Sequence, residues 1–304
     1  MKVFVTGATG FIGSAVVREF IGSGHQVLGL ARSEEGAKAL VAAGAQVHRG
    51  DISDLEGLRE AAAMSDGVIH LAFNHDFSKF AANCEDDRRA IEVLGLALEG
   101  SARPMLVTSG MATVAEGRLA TEDDAPSPSF PRLSEAAADA LLNRGVRVSV
   151  VRLPQVHDTV KQGLVSFAIA VAREKGVSAY LGDGLNRWAA VHVLDAARLY
   201  RLAFEKQKAG AKYHAVAEEG VPLRDIAEAI GRGLQVPVVS KSSEEAAAHF
   251  GWLAALFGRD LTGSSAQTRK RLGWNPTGPA LMVDLEQMRY SDTGTSVTSV
   301  AHSA

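Results

Sequence analysis

Short apolar runs and segments of helical spacing alternate along the first half of this chain. The run Lys2-Val3-Phe4-Val5-Thr6 is followed by Ile12, Ala15, Val16, Val17 and Phe20, which share one face of a helix. Residues 26–30 read as a second strand, 34–43 as a helix and 45–50 as a third strand. Ser53-x-x-Glu56 reads as a capping box that opens a further helix. Strands follow over 67–72, 104–108 and 147–153, with helices over about 86–98 and over 134–143. The second half is less regular. Helices are expected over 164–174, 194–206, 223–234 and 244–257, the last behind the box Ser242-x-x-Glu245, and a short strand over 213–216. Alternation of this kind predicts an α/β fold, a doubly wound parallel sheet with helices on both faces and ligands at the carboxyl ends of the strands.

The turn between the first strand and first helix, Gly7-Ala8-Thr9-Gly10-Phe11-Ile12-Gly13, carries the most specific chemistry. Gly7 permits a tight turn, Gly10 lets the backbone approach a pyrophosphate, and Gly13 lets helix and strand pack closely. Free N–H groups and the positive helix end would hold phosphates. The second strand ends at Ala31-Arg32-Ser33, where such a fold reads the ribose of a dinucleotide. No acid stands at that strand end to accept from a free 2′-hydroxyl. The Arg32 guanidinium suits a 2′-phosphate, which favours NADP over NAD as cofactor.

Composition adds bounds. The 304 residues suit one or two domains with a sizeable core, and 46% hydrophobic with 22% charged residues is ordinary for a globular protein. A net charge of −3 without a long basic run argues against nucleic acid as a partner. The single cysteine, Cys84, reads as structural and fits a reducing, cytoplasmic setting. Met1 leads directly into a strand, so no signal peptide is expected, and no apolar run reaches membrane-spanning length. No Cys/His cluster has metal-ligand spacing.

Together the motifs resemble the short-chain dehydrogenase/reductase superfamily, in its extended or atypical branch of NAD(P)-dependent epimerase/dehydratase-like proteins. The glycine turn has that branch's Gly-x-x-Gly-x-x-Gly spacing. Gly50-Asp51-Ile52-Ser53-Asp54, Val68-Ile69-His70-Leu71-Ala72, Val191-His192-Val193-Leu194-Asp195 and Leu272-Gly273-Trp274-Asn275-Pro276 stand in family order, so the likeness covers about residues 1 to 276. It implies a Rossmann-type sheet over 1–158, with 187–216 returning to it. It further implies a smaller C-terminal substrate lobe over 159–186 and 217–290, and the Ser/Thr-rich 291–304 is expected to be a flexible tail. It implies that Asp51 accepts from the adenine amino group and that Ile52 and Leu71 flank the adenine. By the same resemblance Ala72 and Phe73 should approach the ribose and phosphates, and Pro154-Gln155-Val156 should lie beside the nicotinamide carboxamide. Thr9, Phe11, Ile12, Ser33 and Thr108 complete the expected cofactor contacts. Asp195 is expected to be a helix N-cap and His70 a satisfied core histidine.

The chain departs from that family at its reacting end. The catalytic Tyr-x-x-x-Lys pair has no counterpart: in the stretch Phe130-Pro131-Arg132-Leu133-Ser134-Glu135, Pro131 falls at the tyrosine and Glu135 at the lysine. Ser109 as a hydrogen-bond donor, His157 as a proton shuttle and, more distantly, Tyr180 and His75 are the substitutes the sequence offers. Asn74-His75-Asp76-Phe77 would either shape the substrate pocket or be a solvated loop. Arg187 lies near where nucleotide-sugar members clamp a diphosphate. Trp188 beside it points to a more apolar substrate or packs beneath a loop. Three functions follow, in order of preference. The first is an NADP(H)-dependent reductase of a small carbonyl or related compound. The second is a non-catalytic NADP(H)-binding redox sensor, and the third a sugar-nucleotide epimerase or dehydratase. The sequence leaves the oligomeric state open.

Overall fold

The structure, a computed structural model, describes residues 1–115, 117–127 and 130–290. The expected tail over 291–304 lies outside the described residues. The first half builds strands β1 (Lys2–Thr6), β2 (Gln26–Ala31), β3 (Gln46–Arg49), β4 (Gly67–His70), β5 (Pro104–Gly110) and β6 (Arg147–Leu153). Between them run helices α1 (Phe11–Gly22), α2 (Glu34–Ala42), α3 (Leu55–Ala63), α4 (Phe80–Leu96) and α5 (Ser134–Asn143). The second half adds β7 (Gln155–His157), α6 (Val165–Lys175), β8 (Ser178–Leu181), β9 (Arg187–His192), α7 (Val193–Lys206) and β10 (Lys212–His214). It continues with β11 (Glu218–Pro222), α8 (Leu223–Leu234), β12 (Val238–Lys241), α9 (Ser243–Phe250), α10 (Ala254–Phe257), α11 (Ala266–Leu272) and α12 (Leu281–Gln287).

Seven strands form one parallel sheet in the order β10-β6-β5-β4-β1-β2-β3. The order reverses between β1 and β4, the switch point at which open α/β sheets bind ligands. Valines and leucines of the central strands are sealed on both faces, as a doubly covered parallel sheet requires. One face packs Val16, Val17 and Phe20 of α1 against Leu199, Ala203 and Phe204 of α7. The other packs Leu58, Ile91 and Leu141 from α3, α4 and α5. A separate core around Phe167, Trp188, Phe250, Phe257 and Leu285 holds the later elements together. Two small sheets, β11-β9-β7 and β12-β8, complete that half.

Several local expectations are corrected. Helix α3 is capped by Asp54, whose carboxylate accepts from Gly57 N at 3.1 Å; Ser53 is instead drawn into a turn with Asp51. The box at Ser242 and Glu245 is present. The helix behind it breaks at Gly251, whose φ of 58° ends α9, and a 3₁₀ turn leads into α10. Helix α4 begins at Phe80, before its expected start. The cap of α7 is His192, which accepts from Leu194 N. Asp195 lies in the first turn, and its carboxylate receives the N–H groups of Thr277 and Gly278, fastening the chain after α11 to α7. Among the described residues no helix is long and apolar enough to cross a membrane. Nor is any group of three or more His, Cys, Asp or Glu among them placed to hold a metal ion.

Candidate active site

The glycine turn is built from close approaches that side chains would block. Gly7 has φ 66°, and a Cβ there would stand 2.7 Å from Ala72 N, so the β1 turn and the end of β4 touch backbone to backbone. A Cβ on Gly13 would lie 1.9 Å from Gly7 O, so α1 can start only against a bare glycine. Gly10 caps α1 without a side-chain bond, and no acid sits in the first turn. The N-terminal amides of α1 therefore carry no side-chain cap and suit an anion. Thr6, one residue earlier, explains why β4 ends at His70: its hydroxyl accepts from both Leu71 N and Ala72 N at 3.2 Å. Leu71 and Ala72 are thereby held beside the turn, and Phe73 is buried behind them.

At the outer end of the turn, Arg32 and Ser33 are exposed. Ser33 caps α2 by accepting from Gly36 N, and Thr9 packs against Gly36. A second arginine, Arg49 at the end of β3, donates to Ser33 O at 2.8 Å and pairs with Glu34. Sequence reading passed over it because its approach to β2 is set by strand pairing. Asp51 uses one carboxylate oxygen to accept from Ser53 N and Oγ, which holds its carboxyl below the usual range; Arg32 adds to that effect. Ile52 packs partly buried onto the core beneath.

The residues nearest the expected nicotinamide behave differently. Thr108 is buried; its hydroxyl donates to His70 O at 2.7 Å and meets Tyr200 at 2.8 Å, so it is structural. Gln155 is folded inward, donating to Gln162 O and Val156 O, and pins the loop over 156–165. Pro154 is half-buried beside it and Val156 is buried in the main core. That loop is fastened again by Asp158, which accepts from Val160 N and Lys161 N at 2.7 Å. The loop thereby carries Lys161, half-buried, with its ammonium 6.0 Å from the Phe11 ring and its pKa lowered by burial.

The three catalytic candidates are redistributed. Ser109 Oγ is hydrogen-bonded to Glu135; a carboxylate only accepts, so the hydroxyl proton is already used. His157 is fully buried, 2.7 Å from Asp284 through Nδ1, and fastens α12 to β7. Burial lowers its pKa and shuts it from solvent, which corrects the shuttle expected of it. Tyr180 lies on β8 in the β12-β8 sheet, against Gly184 and beneath Arg224, outside the large sheet. Glu135, at the missing lysine's position, forms a buried double hydrogen bond with Arg152 and stands 3.5 Å from Lys212. Arg152 in turn donates to Asp124 O and His214, closing this pair off from the site.

What sequence reading missed is Arg132. It stands half-buried at the end of β5, its guanidinium 4.3 Å over the Phe73 ring. Nε donates to Ser134 Oγ at 2.9 Å and Nη2 to Thr108 O at 3.2 Å. Ser134 donates to Asp87 at 2.5 Å, Asp87 meets His70 Nε2 at 3.1 Å, and His70 Nδ1 meets Thr6 at 2.8 Å. A buried polar chain thus runs from the glycine turn to Arg132, and His70 is the satisfied core histidine expected. Arg132 and Lys161 both act on His75, whose pKa falls to about 4, first through burial and then through Arg132. Asn74–Phe77 is no solvated loop: Asn83 donates to Asn74 O and Asp76 O, and Phe77 stacks on Trp252 at 3.7 Å. Trp188 is buried against Phe257, so it packs rather than lining a pocket. Arg187 is held by Asp260 through two hydrogen bonds. Cys84 is buried, its thiol pushed up to about 11 chiefly by burial.

Comparison with known proteins places this geometry. Residues 3–93 match the NAD dependent epimerase/dehydratase family. An uncharacterized protein of Schizosaccharomyces pombe is 49% identical over 294 residues, covering 95% of this chain and 100% of its own length. A sterol-4-alpha-carboxylate 3-dehydrogenase of Dictyostelium discoideum is 28% identical over 247 residues, 73% of each chain. A 4-hydroxy-2-methyl-3-oxo-4-farnesyl-3,4-dihydroquinoline-1-oxide ketoreductase of Stigmatella aurantiaca is 26% identical over 309 residues, covering 90% of this chain and 92% of its own. The crystal structure of a dTDP-glucose 4,6-dehydratase from Streptomyces venezuelae with NAD bound superposes with TM-score 0.76 at 19% identity, covering 96% of this chain and 98% of its own. The chain belongs to the NAD dependent epimerase/dehydratase family of the short-chain dehydrogenase/reductase superfamily, and is an oxidoreductase-type enzyme of a nicotinamide cofactor.

Proposed function

We propose that this enzyme is an NADPH-dependent reductase of a small carbonyl or related compound. The observation that carries the reading is the placement of Arg132 at the end of β5 over Phe73, and of Lys161 by Phe11, the first residue of the uncapped α1. A nicotinamide dinucleotide held there would supply a hydride. The amides of Phe11, Ile12 and Gly13 would hold its phosphates, and the exposed Arg32 at the end of β2 would suit a 2′-phosphate on its ribose. Hydride adds to the carbonyl carbon, and the C=O π electrons move onto oxygen. Lys161 gives that oxygen a proton from its ammonium and regains one from water. Burial lowers its pKa, which makes it a better acid than an exposed lysine. Ser109, whose hydroxyl hydrogen is directed at Glu135, has none left to donate to the substrate carbonyl.

The ketoreductase and 3-dehydrogenase among the relatives support redox chemistry at a carbonyl or alcohol carbon. The dehydratase neighbour keeps sugar-nucleotide chemistry in view, but Arg187 is committed to Asp260, which leaves it poorly suited to clamp a diphosphate. The test follows NADPH consumption by the purified protein against a panel of ketones and aldehydes. Turnover is expected, and Lys161→Met should lower kcat roughly 10²-fold with NADPH affinity retained. Tight NADPH binding with no turnover across the panel would move the reading to a non-catalytic redox sensor.

A further inference from the structure

Arg132 is a partly desolvated cation without a direct carboxylate partner; the nearest route to one runs through Ser134 to Asp87. Among the described residues no carboxylate lies within 4.0 Å of it, and its Nη1 donates to nothing. Other sheltered arginines are satisfied. Arg152 meets Glu135, Arg201 meets Glu19 and Glu205, and Arg103 donates to four backbone carbonyls at helix ends. The guanidinium is also fixed in direction, by Ser134 and Thr108 O and through Asp87 behind them. A guanidinium does not release its proton near neutral pH, so its chemistry is to hold an anion. Around it, the Nδ1 of His75 is buried without a partner, and Lys161 adds a second positive charge. An anionic group at the open edge of the guanidinium would meet Nη1, the donor that no protein acceptor takes, in a charge-assisted hydrogen bond.

The surroundings of this charge are aromatic. Phe73 lies under the guanidinium, and Phe80 is in ring contact with both Phe77 and Phe130. Phe77 stacks on Trp252 at an angle of 13°, joining the β4–α4 connection to the later half of the chain. An anion site walled by rings suits a molecule with an apolar body and an acidic end.

We propose that Arg132 anchors the carboxylate of the substrate, which is therefore an apolar, in the simplest case aromatic, oxo acid. The carboxylate takes the open edge of the guanidinium, the apolar body lies on Phe77, Phe80 and Trp252, and the carbonyl reaches Lys161. This deepens the reductase reading and rests on it for the fate of the carbonyl; the anion site itself stands on binding alone.

The experiment separates the two. The NADP-saturated protein is titrated with 3-phenylpropanoate and, separately, with its uncharged amide, following Trp252 fluorescence or heat. Neither probe has a reducible ketone. Wild type should bind the acid about tenfold or more tighter than the amide. Arg132→Gln should erase that preference while leaving NADPH affinity and the melting temperature unchanged, and Arg132→Lys should restore part of it. Equal binding of acid and amide to wild type overturns the proposal. So does an Arg132→Gln variant that loses NADPH affinity but keeps acid selectivity, because the anion would then be the cofactor's. Phenylpyruvate is tested for turnover in parallel. Its failure to react while acid selectivity persists overturns the reductase reading and leaves the anion site standing.

Discussion

Arg152 and Arg132 approach the same strand edge, and only one is neutralised from within. Arg152, on β6, is wholly buried and meets Glu135 through two hydrogen bonds, and it also contacts His214 and donates to Asp124 O. Arg132, just before α5, meets one hydroxyl and one carbonyl, and no carboxylate among the described residues. The closed pair occupies the place where the family keeps its catalytic lysine, and there the protein has turned a reacting position into internal support. The open guanidinium stands a few residues earlier. The contrast teaches that a buried charge answered by the protein's own carboxylate is closed to a ligand, whereas one without a direct carboxylate partner keeps donors that a ligand can take.

That contrast can be broken most forcefully at Arg152. Arg152→Met leaves the Glu135 carboxylate in the interior with Ser109 and Lys212 as its remaining partners, and should lower stability by about 3–5 kcal/mol. Arg132→Met should lower it by no more than about 1 kcal/mol, since no ion pair is lost. Urea unfolding of the two variants reads the difference directly, and equal losses would erase the distinction. Next in size is Gly13→Ala. Its methyl group would press on Gly7 O, lowering stability by about 1–3 kcal/mol and weakening NADPH binding in a fluorescence titration.

A pH effect of similar order comes from His75 and His214, both lowered to about 4, with burial the first cause and an arginine the second. The folded protein keeps both rings neutral where the unfolded chain protonates them, near pH 6.5. The unfolded state therefore binds more protons between those values, and stability falls as pH drops from neutral toward 4. Asp87 and Glu135 are held below their usual ranges despite burial, by His70 and Arg152 respectively. Their stabilisation is present above the ordinary carboxylate pKa and is lost on further acidification. His75→Phe should flatten the upper part of this curve by about 1–3 kcal/mol, measured as melting temperature against pH. A pH profile unchanged by that variant would place the acid sensitivity elsewhere. The smallest effect is expected at the outer end of the cradle: Arg32→Ser should reduce the preference for NADPH over NADH about tenfold in kcat/KM.

The parts of this molecule that could be read from sequence are those set by neighbours in the chain. The β1 strand, its glycine turn and α1 follow from local spacing, and strands alternating with helices imply the parallel sheet. Where two capping residues stand side by side, spacing alone chose wrongly: Asp51 captures Ser53, which leaves Asp54 to cap α3. The small sheets were missed because short strands such as Gln155–His157 gain their identity only from pairing with β9. His157 looked poised for proton transfer because its partner Asp284 is far away in sequence. Arg132 and Phe73 come from separate loops, so the guanidinium over that ring has no linear trace. Arg132 itself sat inside the stretch inspected for a missing tyrosine and lysine, and a search for an unpaired charge there would have found it.

Calorimetric titration of the purified protein with NADPH and with NADH tests the central claim most directly. Saturable heat with both, and tighter binding of NADPH, is the predicted result. No heat with either at millimolar concentration would contradict the dinucleotide site from which every later step is built.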